Sequence, residues 1–306
     1  MNISKITLGT AQIGFDYGIA NVGGKPDFQK ATKLLKFAWD NEINTFDTSP
    51  GYGDSEKIIG SFISKELKNN SKEIFVITKL LKVNLKKKLN FKNLTNYIRE
   101  QINQSFKNLK IKKIPIYLLH HGPDIFLKNG LVIECLNEIK NEGLIEKFGI
   151  SIYNPNEVEA SLNFKEIDVI QVPINIFDNR LIKTGLLNKL EKNNYLIFAR
   201  SIFLQGLFFI NPKSLPKYLE LAKEPLKQLR NLAEEFKMNP AKLSFLYVRD
   251  LPGITSLIIG SEKIEQISKN IKFLEEQPLE GEIFNRINEN FSEVSEKIIN
   301  PSLWNK

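Results

Sequence analysis

Four polar side chains of different chemistry follow apolar, strand-like segments in the first half of the sequence. Asp47 and Tyr52 lie in "NTFDTSPGYGDSEKIIG", Lys79 ends "IFVITK", and His120 follows "IPIYLL". A phenol with a pKa of about 10 is a poor acid at neutral pH unless a nearby cation stabilises the phenolate. Lys79 can be that cation, Asp47 can orient it, and a histidine can hydrogen-bond the substrate oxygen. This set predicts protonation of a carbonyl oxygen by Tyr52 while hydride reaches the carbonyl carbon.

Each of these residues also has a simpler interpretation. Lys79 could be a solvated strand end, and Asp47 could cap a helix. His120 and His121 are the only histidines and could form a turn or half of a metal site, but no His-x-His or His-x-x-x-His spacing accompanies them. The single Cys135, in "LVIECLNEIK", is expected on the buried side of a helix. We predict no metal and no disulfide, and we favour catalysis because the four groups fall at adjacent strand ends.

Eight short runs rich in Ile, Val and Phe predict the strands that must position these groups. They are "KITLG" from Lys5, "INTFD" from Ile43, "IFVITK" from Ile74, "IPIYLLH" from Ile114, "EKFGIS" from Glu146, "DVIQV" from Asp168, "YLIFAR" from Tyr195 and "SLIIG" from Ser256. Amphipathic helical patterns lie between them, namely "DFQKATKLLKFAWDN", "SEKIIGSFISKELK", "LTNYIREQINQSFKNL", "GLVIECLNEIKNEG" and "LKQLRNLAEEFK".

This alternation of strand and helix implies an α/β fold with a parallel sheet covered by helices. Eight repeats in 306 residues fit a closed (β/α)₈ TIM barrel better than an open doubly wound sheet. No Pro- or Gly-rich linker divides the chain, so residues 1–306 are predicted to form one domain with a C-terminal helical extension. The long connection "GTAQIGFDYGIANVGGKPD" after the first strand is expected over the catalytic face of the barrel.

The chain resembles the aldo-keto reductase superfamily essentially from end to end. "FDTSPGYGDSEKIIG" is similar to its Asp-Thr, Tyr-Gly and Ser-Glu signature, "VITKL" to its lysine strand, and "YLLHHGPD" to its Leu-Leu-His-x-Pro motif with one extra histidine. The resemblance implies an NAD(P)H-dependent reductase with Asp47, Tyr52, Lys79 and His120 as its catalytic tetrad. His120 is preferred over His121 because it directly follows the leucine pair, and His121 is expected at the solvent or the pocket rim.

Neither a G-x-G-x-x-G fingerprint nor a phosphate loop is present, so neither a Rossmann domain nor a P-loop is indicated. The resemblance implies instead that a nicotinamide dinucleotide binds in an extended shape across the strand ends. Gly9 and Thr10 would lie beneath the nicotinamide, Ser151 and Gln171 at its carboxamide, and "ARSIFLQG" near the pyrophosphate. The complete set implied around the cofactor is Gly9, Thr10, Asp47, Ser151, Gln171, Arg200, Ser201, Gly260, Ser261, Gln266 and Asn270, the last four around the adenosine.

Three positions depart from the family pattern. Ile152 stands where an Asn often follows the carboxamide-binding serine. Arg200 stands where many members stack an aromatic ring on the nicotinamide, and its charge should favour the reduced, uncharged ring over the oxidised one. Gln266 replaces an Arg that some members use to grip a ribose 2′-phosphate, which leaves Lys263 or a Ser as the substitute. NADPH is the expected cofactor, with NADH possible.

The forms "GTAQIGFDYGIAN" and "ARSIFLQG" resemble a bacterial branch associated with sugar and surface-polysaccharide metabolism, which implies a sugar or other polyhydroxylated carbonyl substrate. The substrate itself is chosen by the loops. The candidate pocket walls are Phe15, Tyr17, Phe126, Phe203 and Trp304, for which ordinary core or surface packing is the simpler interpretation. The C-terminal segment with Trp304 is expected first to pack on the outside of the barrel.

A formal net charge of +8 allows nucleic-acid or membrane-surface binding, with lysines clustered in "LKVNLKKKLNFKNL" and "LKIKKI". Lysines interleaved with Leu and Asn at helical spacing are more typical of a solvated helix face, so neither partner is predicted. No apolar run reaches bilayer length and no secretory signal layout begins the sequence, which predicts a cytoplasmic protein. A regulatory or scaffold subunit that keeps the cofactor site is the alternative function, and the oligomeric state stays open.

Overall fold

The computed structural model of the protein describes residues 1–66, 73–84 and 88–304. Eight parallel strands, each paired with its neighbours in sequence and the last with the first, close a barrel. The strands are β1 (Ile6–Gly9), β2 (Thr45–Asp47), β3 (Phe75–Leu80), β4 (Ile114–Leu119), β5 (Ile145–Ser151), β6 (Val169–Pro173), β7 (Leu196–Arg200) and β8 (Ile254–Gly260). The predicted (β/α)₈ barrel and all eight predicted strands are confirmed.

The helices cover the outside of the barrel and occupy its connections. They are α1 (Ala11–Gly14), α2 (Phe28–Asp40), α3 (Ser55–Glu66), α4 (Phe91–Leu109), α5 (Leu131–Asn141), α6 (Pro155–Ser161), α7 (Arg180–Lys183), α8 (Leu186–Lys192), α9 (Lys223–Glu235), α10 (Pro240–Arg249), α11 (Ile264–Leu274), α12 (Gly281–Asn290) and α13 (Glu296–Ile299). Shorter 3₁₀ turns lie at 122–129, 204–209, 212–214, 217–222 and 301–303. The end of the helix predicted from residue 55 and part of the lysine-rich segment at 85–87 lie outside the described residues.

The outer helices form where an apolar stripe coincides with a capping side chain. At the start of α2, the Asp27 carboxylate accepts the backbone N–H of Lys30 at 2.8 Å, which satisfies one of the free donors of the first turn. The stripe that α2 turns toward the barrel consists of Ala31, Leu34, Leu35, Ala38 and Trp39. Cys135 is fully buried on α5, as predicted.

The inside of the barrel has its own apolar cluster, separate from the layer between strands and helices. Its buried members are Ile77, Ile116, Leu118, Val169 and Phe198. Side chains two residues apart on a strand share a face. Lys79 therefore follows Ile77 into the barrel, and Gln171 follows Val169. The apolar layer ends near the C-terminal ends of the strands, where polar side chains such as Lys79 and Gln171 replace it.

The C-terminal segment packs on the outside of the barrel. Trp304 is buried, and its indole Nε1 donates to the carbonyl of Ile298 at 3.1 Å. In the described part of the chain, no helix is both long and apolar enough to cross a membrane.

Candidate active site

A buried ion pair joins the ends of β2 and β3. The Lys79 ammonium donates to Asp47 Oδ1 at 2.8 Å, to Asp47 Oδ2 at 2.9 Å and to the Thr48 carbonyl at 2.8 Å. These bonds use all three donors of the ammonium, and Lys79 has no exposed surface. Burial lowers the pKa of Lys79, and the Asp47 carboxylate opposes that shift. The structure thus brings together the two residues that the sequence placed at neighbouring strand ends.

A chain of hydrogen bonds extends from this ion pair around the mouth of the barrel. Gln171 on β6 donates from Nε2 to Asp47 Oδ1 at 2.8 Å, and Ser151 on β5 donates its hydroxyl to Gln171 Oε1 at 2.9 Å. The amide of Gln171 is therefore oriented from both sides, with its nitrogen toward the carboxylate. A ligand at the barrel mouth meets a fixed pattern of donors and acceptors.

Tyr52 lies over the ion pair. The Lys79 nitrogen is 4.9 Å from the centre of the phenol ring, and the His120 ring meets it edge-on with centroids 5.7 Å apart. The pKa of Tyr52 is raised, first by burial and then by the Asp47 charge, while Arg200 opposes the shift. This differs from the expectation that Lys79 lowers the pKa, because burial, which disfavours the charged phenolate, is the largest effect on Tyr52. Tyr52 consequently keeps its proton throughout the neutral pH range.

Two glycines fix the loop that carries Tyr52. A Cβ on Gly14 would stand 1.8 Å from the Tyr52 carbonyl oxygen, and a Cβ on Gly53, whose φ is +53°, would stand 2.3 Å from the Gly14 oxygen. Only glycine permits so close an approach of the two backbones. A chain of hydroxyl hydrogen bonds from Thr48 through Ser55 to Thr10 ties the same loop to β1 and β2. The close packing of this loop therefore positions the phenol.

His120 follows β4 and lines the pocket beside Tyr52. Its Nδ1 lies 3.2 Å from the Ser49 hydroxyl. Burial, with the charges of Lys79 and Arg200, lowers the pKa of His120 from 6.5 to about 3. The imidazole is therefore neutral at neutral pH and can exchange hydrogen bonds with a ligand. His121 is partly exposed and pairs with Asp124 Oδ1 at 2.9 Å, which agrees with its predicted position toward solvent.

The lowered pKa of His120 predicts an acid-sensitive contribution to stability. The unfolded chain binds a proton there below about pH 6.5 but the folded chain does not, so the contribution is present above that pH and is lost as the pH falls toward 3. Between pH 7 and pH 5 it should remove about 2 kcal/mol from the free energy of unfolding. Urea unfolding across this range should show a smaller pH slope in His120→Gln than in the neighbouring control His121→Gln. Equal slopes in the two variants would contradict the assignment.

The pocket at this end of the barrel spans about 1100 Å³, part of it open to solvent. The predicted site residues that line it are Gly9, Thr10, Asp47, Tyr52, His120, Ser151, Gln171, Arg200, Ser201, Gly260 and Gln266. The other three, Lys79, Ser261 and Asn270, are buried behind this lining. Among the described residues, no group of three or more His, Cys, Asp or Glu side chains could hold a metal ion.

The predicted pocket walls are only partly correct. Tyr17 and Phe203 line the pocket. Phe126 is 51% exposed on a 3₁₀ turn, so that prediction was wrong. Trp304 is buried in the C-terminal segment, which agrees with its first interpretation as a packing residue and not with a place in the pocket wall. Phe15 packs against the ring of Tyr52, with centroids 6.1 Å apart, and stands outside the lining. These aromatic residues have no strand periodicity that would have revealed their direction.

Sequence reasoning missed several lining residues on the connections. The polar or charged ones are Gln12, Asn21, Tyr153, Gln205 and Glu262. Gln12 belongs to the long first connection that was expected over the catalytic face, so its region was foreseen although its role was not. Glu262 lies two residues beyond β8, and a charged residue close to the end of a barrel strand was the available signal.

Arg200 is held at the end of β7 by three contacts. Its guanidinium lies 4.3 Å over the Tyr153 ring, one nitrogen donates to the Ile152 carbonyl at 2.6 Å, and another to the Ser201 hydroxyl at 3.2 Å. Ser201 has a φ of +62°, an unfavourable conformation for a residue with a side chain. The strained backbone and the fixed guanidinium form the pocket wall next to Ser151 and Gln171.

A (β/α)₈ barrel whose C-terminal mouth holds a lysine–carboxylate pair, a phenol and a neutral imidazole has the composition of an enzyme active site. The chain belongs to the aldo/keto reductase family, whose sequence profile matches residues 5–290. It is therefore an oxidoreductase of that family.

Similar proteins agree with this assignment. The chain is 28% identical over 287 residues to the uncharacterized oxidoreductase YqkF of Bacillus subtilis, covering 89% of this chain and 87% of the relative. It is 26% identical to the NADH-specific methylglyoxal reductase of Escherichia coli, covering 89% and 94%. The holo form of an aldo-keto reductase from Bacillus halodurans shares the fold with a TM-score of 0.77 at 22% identity, covering 97% of this chain and 96% of that one.

Proposed function

We propose that the protein reduces an aldehyde or ketone by hydride transfer from a reduced nicotinamide dinucleotide, with Tyr52 as the general acid. The observation that carries the proposal is the position of Tyr52, which lines the pocket with His120 while its ring lies over the Lys79–Asp47 pair. A carbonyl oxygen placed between the phenol and the imidazole would meet two hydrogen-bond donors.

Each of the four candidate catalytic residues has a different role in this proposal. Tyr52 is protonated at neutral pH, and because burial raises its pKa it is a weak acid at rest. It would donate its proton only as the carbonyl oxygen becomes negative during hydride transfer. Lys79, whose nitrogen lies 4.9 Å from the centre of the ring, is the cation proposed to stabilise the phenolate that remains, and Asp47 holds it in place. His120, neutral because burial lowers its pKa to about 3, can bind and align the carbonyl oxygen. Lys79 and Asp47 act on Tyr52, whereas Tyr52 and His120 touch the substrate.

The polar groups of the pocket fit a nicotinamide dinucleotide, which supplies the hydride when it is bound. Ser151 and Gln171 present an oriented hydroxyl and amide near Tyr52, which suits a carboxamide. The lining then continues past Gly9 to Gly260 and Gln266, where an extended ligand would place its adenosine. The buried Ser261 Oγ, next to Gly260, has no hydrogen-bond partner among the described residues. This is expected of a polar group that forms a hydrogen bond with a bound ligand. Arg200 should favour the reduced ring.

The proposed substrate is a sugar or another polyhydroxylated carbonyl compound acted on in the cytoplasm. The pocket lining includes the aromatic residues Tyr17, Phe203 and Phe209 and the amide residues Asn21 and Gln205. Aromatic faces pack on the C–H side of a polar ligand while amides pair with its hydroxyls. Nucleic acid and membranes are not proposed as partners, since the pocket alone accounts for the site.

The proposal is tested by titrating the purified protein with NADH and NADPH and following cofactor oxidation with a panel of sugars and simple carbonyl compounds. We expect saturable binding of a dinucleotide and turnover with at least one panel member. A control variant is Phe126→Ala, which removes an aromatic ring that lies outside the pocket. It should change neither the dinucleotide binding nor the turnover. Binding without turnover on any carbonyl would favour the scaffold alternative, and absence of binding would contradict the proposal.

A further inference from the structure

The segment that runs from the end of β8 to the start of α11 forms part of the pocket wall. Three of its residues, Gly260, Glu262 and Gln266, line the pocket. Under the proposed function, this part of the pocket receives the adenosine half of the dinucleotide, because the nicotinamide half must lie at the Tyr52 end. NADH and NADPH differ only by a phosphate on the adenosine ribose, so these residues meet the distinguishing group.

A side chain at position 260 would meet the side-chain amide of Gln12. A Cβ on Gly260 would lie 2.2 Å from the amide nitrogen and oxygen of Gln12, which packs across the end of β1. A cation therefore cannot project from the end of β8 while Gln12 keeps its place. Because residue 260 is a glycine, the end of β8 contributes no charged side chain to the pocket.

Gln266 occupies the backbone donors that a phosphate would use. Its side-chain oxygen accepts the N–H of Glu262 at 2.8 Å and the N–H of Lys263 at 3.1 Å. Free N–H groups at a helix N-terminus are the usual binding site for a phosphate. Here the N–H of Lys263, the N-cap of α11, and the preceding N–H of Glu262 are already satisfied from within the chain. A phosphate that bound these two groups would have to displace the glutamine amide.

Glu262 places a carboxylate at the same end of the pocket. Burial raises its pKa, while the Gln266 side chain and Lys263 oppose that shift by favouring the ionised form. Among the described lining residues, Arg200 is the only lysine or arginine. Arg200 is engaged with Ile152 and Ser201 beside the nicotinamide region. The adenosine end thus faces a negative group with no lining cation to offset it.

We propose that Glu262, with Gln266, makes this site specific for a dinucleotide without a 2′-phosphate, so that NADH binds in preference to NADPH. A carboxylate accepts hydrogen bonds from ribose hydroxyls, whereas it repels a phosphate that carries up to two negative charges. The inference rests on the proposed function. It also replaces NADPH, the cofactor expected from the family resemblance, with NADH.

Lys263 is the residue that could work against this discrimination. It adjoins Glu262, but its side chain is exposed and lies outside the pocket lining. If Lys263 turned inward to grip a 2′-phosphate, its removal would weaken NADPH binding alone. The variant Lys263→Gln therefore separates the two interpretations and serves as the matched control for Glu262→Gln, since both remove one charge at adjacent positions.

The test is a fluorescence titration of the full chain and the two variants with NADH and NADPH at one fixed ionic strength. The wild type should bind NADH at least about tenfold more tightly, which corresponds to about 1.4 kcal/mol. Glu262→Gln should strengthen NADPH binding about tenfold while NADH binding changes by less than about threefold. Lys263→Gln should leave the ratio of the two dissociation constants within about twofold.

A competition experiment locates the effect at the adenosine end. Adenosine 5′-diphosphate should displace NADH from the wild type, whereas adenosine 2′,5′-bisphosphate should do so effectively only in Glu262→Gln. Equal or tighter binding of NADPH by the wild type, or an unchanged ratio in Glu262→Gln, would overturn the inference. If NADPH binds more tightly and supports turnover, only this inference fails. If neither dinucleotide binds, the proposed function fails with it.

Discussion

Tyr52→Phe is expected to lower kcat about a thousandfold, within the range that general acid catalysis contributes. The substitution removes the hydroxyl that would protonate the carbonyl oxygen and leaves the ring over Lys79 in place. Dinucleotide affinity should stay within about twofold, because the lost group contributes to the transition state and little to ground-state binding. Steady-state kinetics on the best carbonyl substrate, together with a dinucleotide titration, measure both quantities.

Tyr17→Phe is the matched control, since Tyr17 is another tyrosine in the pocket lining whose pKa is raised mainly by burial. It should lower kcat by less than about tenfold, as expected for a pocket hydroxyl that does not transfer the proton. If Tyr17→Phe were the inactive variant and Tyr52→Phe retained turnover, the acid would be misassigned. Equal losses in both would point to a general requirement for polarity in the pocket.

Lys79→Met is expected to remove about 3 kcal/mol from the free energy of unfolding and to abolish measurable turnover. It leaves the Asp47 carboxylate buried with Gln171 Nε2 as its remaining side-chain donor. An uncompensated buried charge costs far more than the loss of an exposed pair, because the low-dielectric surroundings cannot solvate it. Urea unfolding measures the stability change, and NADH oxidation measures turnover.

The control for this prediction is Lys140→Met, which breaks the pair with Asp168 at 2.6 Å in a partly exposed position. It should cost less than about 1 kcal/mol. The double variant Asp47→Asn with Lys79→Met should recover at least about 1 kcal/mol relative to the single Lys79 variant, because the unpaired charge is gone. A Lys79→Met chain as stable as Lys140→Met would refute the view that the buried pair supports the barrel mouth.

The barrel could be predicted because its elements are encoded locally. Each strand is a short β-branched run bounded by turn residues, and each long helix has an apolar stripe with a period near 3.6. The 3₁₀ turns and the short helices α1, α6, α7 and α8 were not predicted, since fewer than eight residues give too little periodicity. Their positions depend on what they pack against. The helices α10 and α11, of ten and eleven residues, were also missed.

The four candidate catalytic residues could be predicted for a related reason. Asp47, Lys79 and His120 end or follow parallel strands, and in a barrel all strand ends meet on one face, so their assembly follows from topology. The direction of each side chain follows from the two-residue repeat of the strands. Aromatic residues on connections, such as Phe126, carry no such repeat, which is why that prediction was wrong.

The sequence by itself determined the fold class, the order of the strands and the presence of a phenol, an ammonium, a carboxylate and an imidazole at one end of the barrel. Only the tertiary structure decided their electrostatic state. Asp47 neutralises Lys79 at 2.8 Å, and burial raises the pKa of Tyr52 and lowers that of His120. It also placed Glu262 in the pocket and packed Gln12 against position 260. Desolvation and Coulomb interactions depend on distances between residues far apart in the chain, and no local pattern contains those distances.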